Sequence, residues 1–180
     1  MQRCPDDNRY TNGGVGASKT NAWREIPFPT RDQVHLSGVP CHTAGQQFTV
    51  NGYRFVCNSI QFAVLFVLEC HSLRFAGRNV PMKVKLNPFL SAKDILEAIE
   101  AYAGSVALVN RCRNWTSDDI IRAVYSIRQK VKKHGLNPFI IDRGLNQRGY
   151  RLGTHPENVT LTYLDEEKNE VTIVSGKRKG

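Results

Sequence analysis

The central part of the chain opens with a hairpin pattern that is followed by a buried-helix pattern. Residues 47–56 alternate between apolar and polar side chains on either side of Asn51-Gly52. Both central residues of a type I′ turn need a positive φ, which Asn-Gly tolerates, so this segment predicts a β-hairpin. Asn58 or Ser59 then provides a helix N-cap, and the almost wholly apolar run 60–70 predicts a helix buried on most sides.

Two more helices are indicated by capping residues and apolar periodicity. Ser91-Ala-Lys-Asp94 resembles a capping box with Asp in place of Glu, and it starts a second helix. Thr116 or Ser117 caps a third helix over residues 118–134, which ends at Gly135 because glycine favours the position just after a helix. The apolar face of the second helix comprises Ile95, Leu96 and Ile99.

Short alternating segments predict hairpins in the last third of the chain. Residues 139–141 and 150–152 form one hairpin around a turn at 144–149, and residues 159–164 and 171–174 form another. Within the connection 71–90, the pattern indicates one short strand, at 82–86. Strands and helices in this order predict an α+β fold.

The N-terminal segment has a different composition. Residues 1–44 are rich in Gly, Asn, Thr, Ser and Pro without a sustained period, which predicts a largely irregular arm. The predicted organisation is therefore an arm over 1–44, one domain over 45–155, and a C-terminal hairpin with a basic tail over 156–180.

The positive charge is concentrated in the predicted domain. The chain has 25 Lys and Arg against 16 Asp and Glu, a net charge of +9. Residues 45–155 carry this entire excess, and residues 111–151 alone hold ten basic and three acidic side chains. Such a field is typical of a protein that binds a polyanion, although a solvated basic helix without a partner shows the same excess.

Several other classes of protein are disfavoured. The longest apolar run, residues 62–68, is too short to span a bilayer, and the N-terminus lacks a signal-peptide pattern, which predicts a cytoplasmic protein with no membrane partner. Five irregularly spaced cysteines without a CxxC pair favour reduced thiols and predict no metal site. No nucleotide-binding or hydrolase motif is present, so we expect neither an enzyme nor a cofactor.

The third helix has a polar face suited to nucleic acid. At about 100° per residue, Ile120, Val124, Ile127 and Val131 form the inward stripe. Arg and Gln side chains bond base edges, whereas Lys and Ser bond phosphates. The opposite face and its flanks comprise Arg122, Tyr125, Ser126, Gln129, Lys130, Lys132 and Lys133.

The hairpin behind this helix adds arginines at a turn. Arg143 and Arg148 lie where a thin β-ribbon can enter a narrow minor groove, whose negative potential attracts arginine. Arg151, at the end of the second strand, can instead pack along the core with its aliphatic stem.

These segments together resemble a known family. FTVNGYRFVCNSIQFAVLFVL, SAKDIL, and AVYSIRQKV followed by FIIDRGLNQRGYRLG are similar to the OmpR/PhoB-type winged helix-turn-helix DNA-binding domain over roughly residues 46–153. The resemblance implies that the third helix lies in the major groove and that the wing, residues 139–152, touches the minor groove. The arm is too short for the receiver domain that family members usually carry.

The resemblance also implies site residues and partners. By position, Arg122, Tyr125, Ser126 and Arg128 match recognition-helix contacts, and Arg143 matches the wing arginine. The loop 103–115 corresponds to the segment that touches RNA polymerase in the family. The expected function is a sequence-specific regulator of transcription, of bacterial or mobile-element type, that binds double-stranded DNA as a homodimer or in tandem. The alternatives are a winged-helix module that binds protein and, less favoured, an RNA binder.

Overall fold

A computed structural model describes residues 26–40, 46–105, 114–144 and 149–175 of the chain. Within these ranges the chain forms three α-helices and seven β-strands, which confirms the predicted α+β class. The helices are α1 (Ser59–Phe75), α2 (Ala92–Ser105) and α3 (Ser117–Lys133). The strands are β1 (Val34–Ser37), β2 (Gln47–Val50), β3 (Tyr53–Phe55), β4 (Ile141–Arg143), β5 (Tyr150–Leu152), β6 (Val159–Leu164) and β7 (Glu170–Val174).

Five strands form the larger sheet, in the order β3-β2-β1-β6-β7. β1 pairs antiparallel with β2 and parallel with β6, so it lies in the centre of the sheet. This strand corrects the prediction of an irregular arm for the residues it contains. Its four residues are too few to show a period, and Val34 and Leu36 become buried only when strands distant in sequence pair on both sides. Strands from all three predicted segments of the chain therefore meet in one sheet.

The two hairpins at the edges of this sheet, β2–β3 and β6–β7, confirm the sequence predictions. Asn51 and Gly52 have φ of 51° and 79°, the values that a type I′ turn between β2 and β3 requires. β6 and β7 pair antiparallel along their length, and the turn between them places Lys168 at a positive φ of 64°. The smaller sheet contains β4 and β5, which pair antiparallel as predicted.

α1 is the centre of the hydrophobic core. It packs against β1, β5 and β6 and against both other helices. Its side chains from Gln61 to Leu73 are all buried, as the apolar run predicted up to residue 70, and the helix continues to Phe75, into the segment predicted as a connection. Asn58 caps the helix, since its side chain accepts from the Gln61 amide while the Gln61 side chain accepts from the Asn58 amide. The cap fixes where α1 begins, beside α3.

The other two helices begin where their capping residues predicted. Ser91 and Asp94 exchange side-chain and backbone hydrogen bonds at the start of α2. Thr116 and Asp119 do the same for α3, and Gly135 follows that helix with φ of 75°. We conclude that local capping chemistry sets the position of α3 in the chain.

Two local predictions were wrong. Residues 82–86 form no strand, and only Leu90 makes an isolated antiparallel bridge, with Tyr150 of β5. The predicted strand at 139–141 begins instead with a 3-10 turn, Pro138–Ile140, because Asn137 caps the Phe139 amide and proline favours the first position of a turn. The bridge at Leu90 lies along the edge of β5 that faces away from β4. No helix in the described part of the chain is long and apolar enough to cross a membrane.

Candidate nucleic-acid interface

The inward and outward sides of α3 follow the predicted wheel. Ile120, Val124, Ile127 and Val131 are buried, together with Ala123. The residues that are exposed at the centre of the opposite side define what we call the basic face. They are Arg122, Tyr125, Gln129, Lys132 and Lys133.

The basic face is available for contact with a partner. Tyr125, at its centre, is 66% exposed. None of the ion pairs formed by the described residues involves a side chain of α3. In the first turn of α3, Asp119 accepts hydrogen bonds from the Thr116 amide and hydroxyl, and these bonds, together with the charge of Arg122, hold the pKa of Asp119 below its usual value. An anionic partner would therefore not have to displace a carboxylate from Lys132 or Lys133.

Ser126 and Lys130, both predicted to face nucleic acid, contact the start of α1 instead. The Gln61 side-chain amide donates to Ser126 Oγ at 2.8 Å. Lys130 Nζ donates to Gln61 Oε1 at 2.6 Å and to the Val56 carbonyl at 2.8 Å. These two side chains hold α3 against α1 and so orient the basic face.

Arg128 occupies the other flank of α3 and is half-buried. Its Nε donates to the Pro138 carbonyl at 3.2 Å, and its guanidinium lies over the Phe139 ring at 5.1 Å. Arg128 thereby ties α3 to the 3-10 turn that leads into β4. These contacts give Arg128 a role in positioning the hairpin.

The end of α3 is held by the β2–β3 hairpin, a contact that no sequence pattern indicated. Tyr53 Oη and His134 Nδ1 are 3.0 Å apart, and the Tyr53, Phe55 and His134 rings pack together. Only the long-range fold brings these residues together, so no local signal could have shown the contact.

The β4–β5 hairpin carries the predicted wing arginines. Arg143 ends β4, is exposed, and lies with its guanidinium 6.0 Å from the centre of the Tyr150 ring. Arg148 falls in 145–148, outside the described residues. The remaining predicted partner segment, 103–115, is described only at its two ends, where Trp115 packs against the core.

Arg151 of β5 is the residue whose role the sequence showed least clearly. It is fully buried, and its guanidinium lies between the Phe28 and Phe89 rings, 4.4 and 4.8 Å from their centres. Its Nε donates to Asp142 at 2.9 Å, and its terminal nitrogens donate to the carbonyls of Ile26 and Pro27. Arg151 therefore fastens the segment before β1 to the hairpin and contributes no exposed charge.

A matched pair of variants separates the residues that hold α3 from those that it exposes. Lys130→Met removes two hydrogen bonds, one to Gln61 of α1 and one to the Val56 carbonyl before that helix. We therefore expect the free energy of unfolding to fall by about 1 kcal/mol. Lys133→Met, one turn away on the exposed side, should leave it unchanged. Urea unfolding monitored by circular dichroism measures both, and equal losses would contradict the assignment.

The described residues thus define an α+β protein with an exposed cationic helix face beside a short β-hairpin. No protein-family model, no curated protein and no solved structure matches the chain. The resemblance to the OmpR/PhoB-type domain stays a prediction.

Proposed function

We propose that this chain binds double-stranded DNA as a winged-helix regulator of transcription, with α3 in the major groove and the β4–β5 hairpin as the wing. The observation that carries the proposal is the basic face, which is exposed and unpaired with carboxylates within the described residues. α3 is about 25 Å long at 1.5 Å per residue. A helix fits a major groove about 12 Å wide, where arginine and glutamine read base edges.

The contacts on both flanks of α3 support this orientation. Ser126 and Lys130 bond the start of α1, and Arg128 bonds the turn that leads to the hairpin. A recognition element needs such fixed geometry, because base-edge hydrogen bonds tolerate little displacement. We therefore assign base contacts to Arg122, Tyr125 and Gln129 and phosphate contacts to Lys132, Lys133 and Arg143.

A different class of partner is favoured by the apolar side chains next to the basic face. Ile121 and Phe139 are 44% and 48% exposed, and Tyr125 lies one turn from Ile121 on the same flank. An exposed apolar strip of this kind is typical of surfaces that bind protein. The alternative function is therefore a protein-interaction module that uses the same helix.

Selection from a randomised duplex-DNA pool at two salt concentrations separates the two functions. Enrichment of a motif, with affinity that falls steeply as salt rises, would support a sequence reader. Salt-sensitive binding without enrichment would support a non-specific binder. The absence of binding at low salt would overturn the proposal and favour the protein-interaction module.

Variants of the basic face test the division between base and phosphate contacts. We expect Arg122→Ala to weaken binding to the selected site more than binding to random DNA, by about 1–3 kcal/mol of discrimination. Lys133→Ala should weaken binding to all sequences alike and flatten the salt slope by about one. Fluorescence anisotropy titrations measure both quantities.

The control for these titrations is Lys168→Ala, which removes an exposed lysine from the β6–β7 turn. It should change neither the specific nor the non-specific affinity. If Arg122→Ala and Lys133→Ala weaken all sequences equally, or if neither has an effect, the docking of α3 in the major groove is wrong.

A further inference from the structure

Two exposed apolar side chains lie one turn apart along the edge of the basic face. They are Ile121 and Tyr125 of α3, which we call the apolar pair. The inward stripe of this helix is made by other residues, and among the described residues neither member of the pair belongs to the hydrophobic core. Apolar surface left in water in this way gains free energy when a partner covers it.

The surroundings of the apolar pair are cationic. Arg122 follows its first member in the sequence, and Lys132 lies two turns beyond its second member on the same line of the helix. Phe139, a neighbouring exposed ring, has the Arg128 guanidinium over it. The centre of a protein–protein interface is depleted of lysine, and a standard interface buries at least about 1,000 Å². Two apolar side chains among cations fit a polyanion better than they fit such a centre.

A major groove offers a specific apolar group to this pair. Among the base edges exposed there, thymine alone carries a methyl group, at C5, whereas the other distinguishing groups are hydrogen-bond donors and acceptors. Ile121 has neither a donor nor an acceptor in its side chain, so in the groove it adds affinity by covering apolar surface. It also lies in the first half of α3, the part of a recognition helix that contacts base edges.

We propose that Ile121, with the Tyr125 ring beside it, binds the 5-methyl group of a thymine and thereby determines part of the sequence specificity. This inference rests on the proposed function and adds a base that the DNA site contains. Ile121 and Arg122 are successive residues, about 1.5 Å apart along the helix axis. The thymine therefore neighbours the base pair that Arg122 reads.

Deoxyuridine supplies the test, because it keeps the hydrogen-bonding edge of thymine and lacks the methyl group. The probe is the duplex that the full chain selects from the randomised pool, with each thymine replaced in turn by deoxyuridine. We expect a position at which the replacement weakens binding about fourfold, the factor expected for covering one methyl-sized group. This position should neighbour the one at which Arg122→Ala relaxes discrimination. Fluorescence anisotropy titrations measure the affinities.

Ile121→Ala assigns the methyl contact to this side chain. The variant should bind the thymine and deoxyuridine duplexes equally, because alanine is too short to cover the methyl group. It should bind the deoxyuridine duplex nearly as tightly as the parent does, since alanine favours a helix at least as well as isoleucine. The matched control is Leu164→Ala at the end of β6, because the 45% exposure of Leu164 equals that of Ile121, 44%. This control should keep the fourfold difference.

The outcomes separate this inference from the proposed function. A selected duplex that binds equally with thymine and deoxyuridine at every position would overturn the methyl contact and leave DNA binding intact. That result is also the one expected if the apolar pair binds a protein. A methyl effect that Ile121→Ala leaves unchanged would overturn the assignment to Ile121. If no motif is enriched, the proposed function is wrong, and this inference is wrong with it.

Discussion

Replacing Arg151 with methionine is expected to lower the free energy of unfolding by about 3–5 kcal/mol, since removal of one partner from a buried charged network has a cost of that size. The guanidinium is fully buried between the Phe28 and Phe89 rings. Without it, Asp142 and the Ile26 and Pro27 carbonyls lose their donors. Methionine fills part of the volume but supplies no donor, so the polar partners remain unsatisfied.

The matched control is Arg143→Met, which removes an arginine of the same hairpin from an exposed position. We expect it to change the unfolding free energy by less than about 0.5 kcal/mol. Arg151→Met should also make the chain around Ile26 more accessible to protease, because the bonds that hold it are lost. Equal urea midpoints for the two variants would show that Arg151 does not fasten the N-terminal segment to the hairpin.

Features that depend on neighbours in sequence were predictable. The Asn51-Gly52 turn, the Asn58 and Thr116 caps and the buried stripe of α3 all follow from chemistry within one or two turns of the chain. β1 was missed for the opposite reason. Its four residues become a strand because β2 and β6 pair with it on both sides, and β6 lies more than 100 residues away in the sequence.

The candidate site was predictable to the same extent. A helical wheel separates the buried side of α3 from the exposed side, and Arg122, Gln129 and Lys133 are exposed as it predicted. The wheel cannot show which flanks are covered by other elements. Ser126 and Lys130 form hydrogen bonds with Gln61, and Arg128 forms one with the Pro138 carbonyl. Three of the predicted contact residues therefore hold elements of the fold together.

The second large effect concerns Glu69, a carboxyl group at the centre of α1. It is fully buried, and neither of its oxygens has a hydrogen-bond partner in the described part of the chain. Burial raises its pKa well above the usual value. The folded protein therefore keeps Glu69 protonated at pH values where the unfolded chain has released the proton.

The sign of the pH dependence follows from the protons bound in each state. Above about pH 4.5, the unfolded pKa of Glu69, the folded state binds more protons, so stability falls by up to about 1.4 kcal/mol per pH unit until the folded pKa is reached. His71 acts in the opposite direction up to pH 6.5, because burial lowers its pKa to about 4. The two contributions therefore oppose each other between pH 4.5 and 6.5, as long as the pH is below the folded pKa of Glu69.

Glu69→Gln removes the carboxyl contribution and leaves that of His71. The amide has the shape of a protonated carboxyl, so the variant and the parent should have similar stability near pH 4.5. From pH 4.5 upward the variant should gain stability relative to the parent, and the difference should grow with pH until the folded pKa of Glu69 is reached. Urea unfolding from pH 4.5 to 8 measures this, below the range in which Cys70 ionises in the unfolded chain.

The control is Glu100→Gln, which replaces an exposed carboxylate of α2 that makes no ion pair among the described residues. Its profile should run parallel to that of the parent. Parallel profiles for Glu69→Gln and the parent would mean that the buried carboxyl is already ionised when folded. That result would require a cation beside α1, and none of the ion pairs among the described residues provides one. Diverging profiles would instead establish that Glu69 is protonated in the folded core, because burial disfavours its charged form and no cation pairs with it.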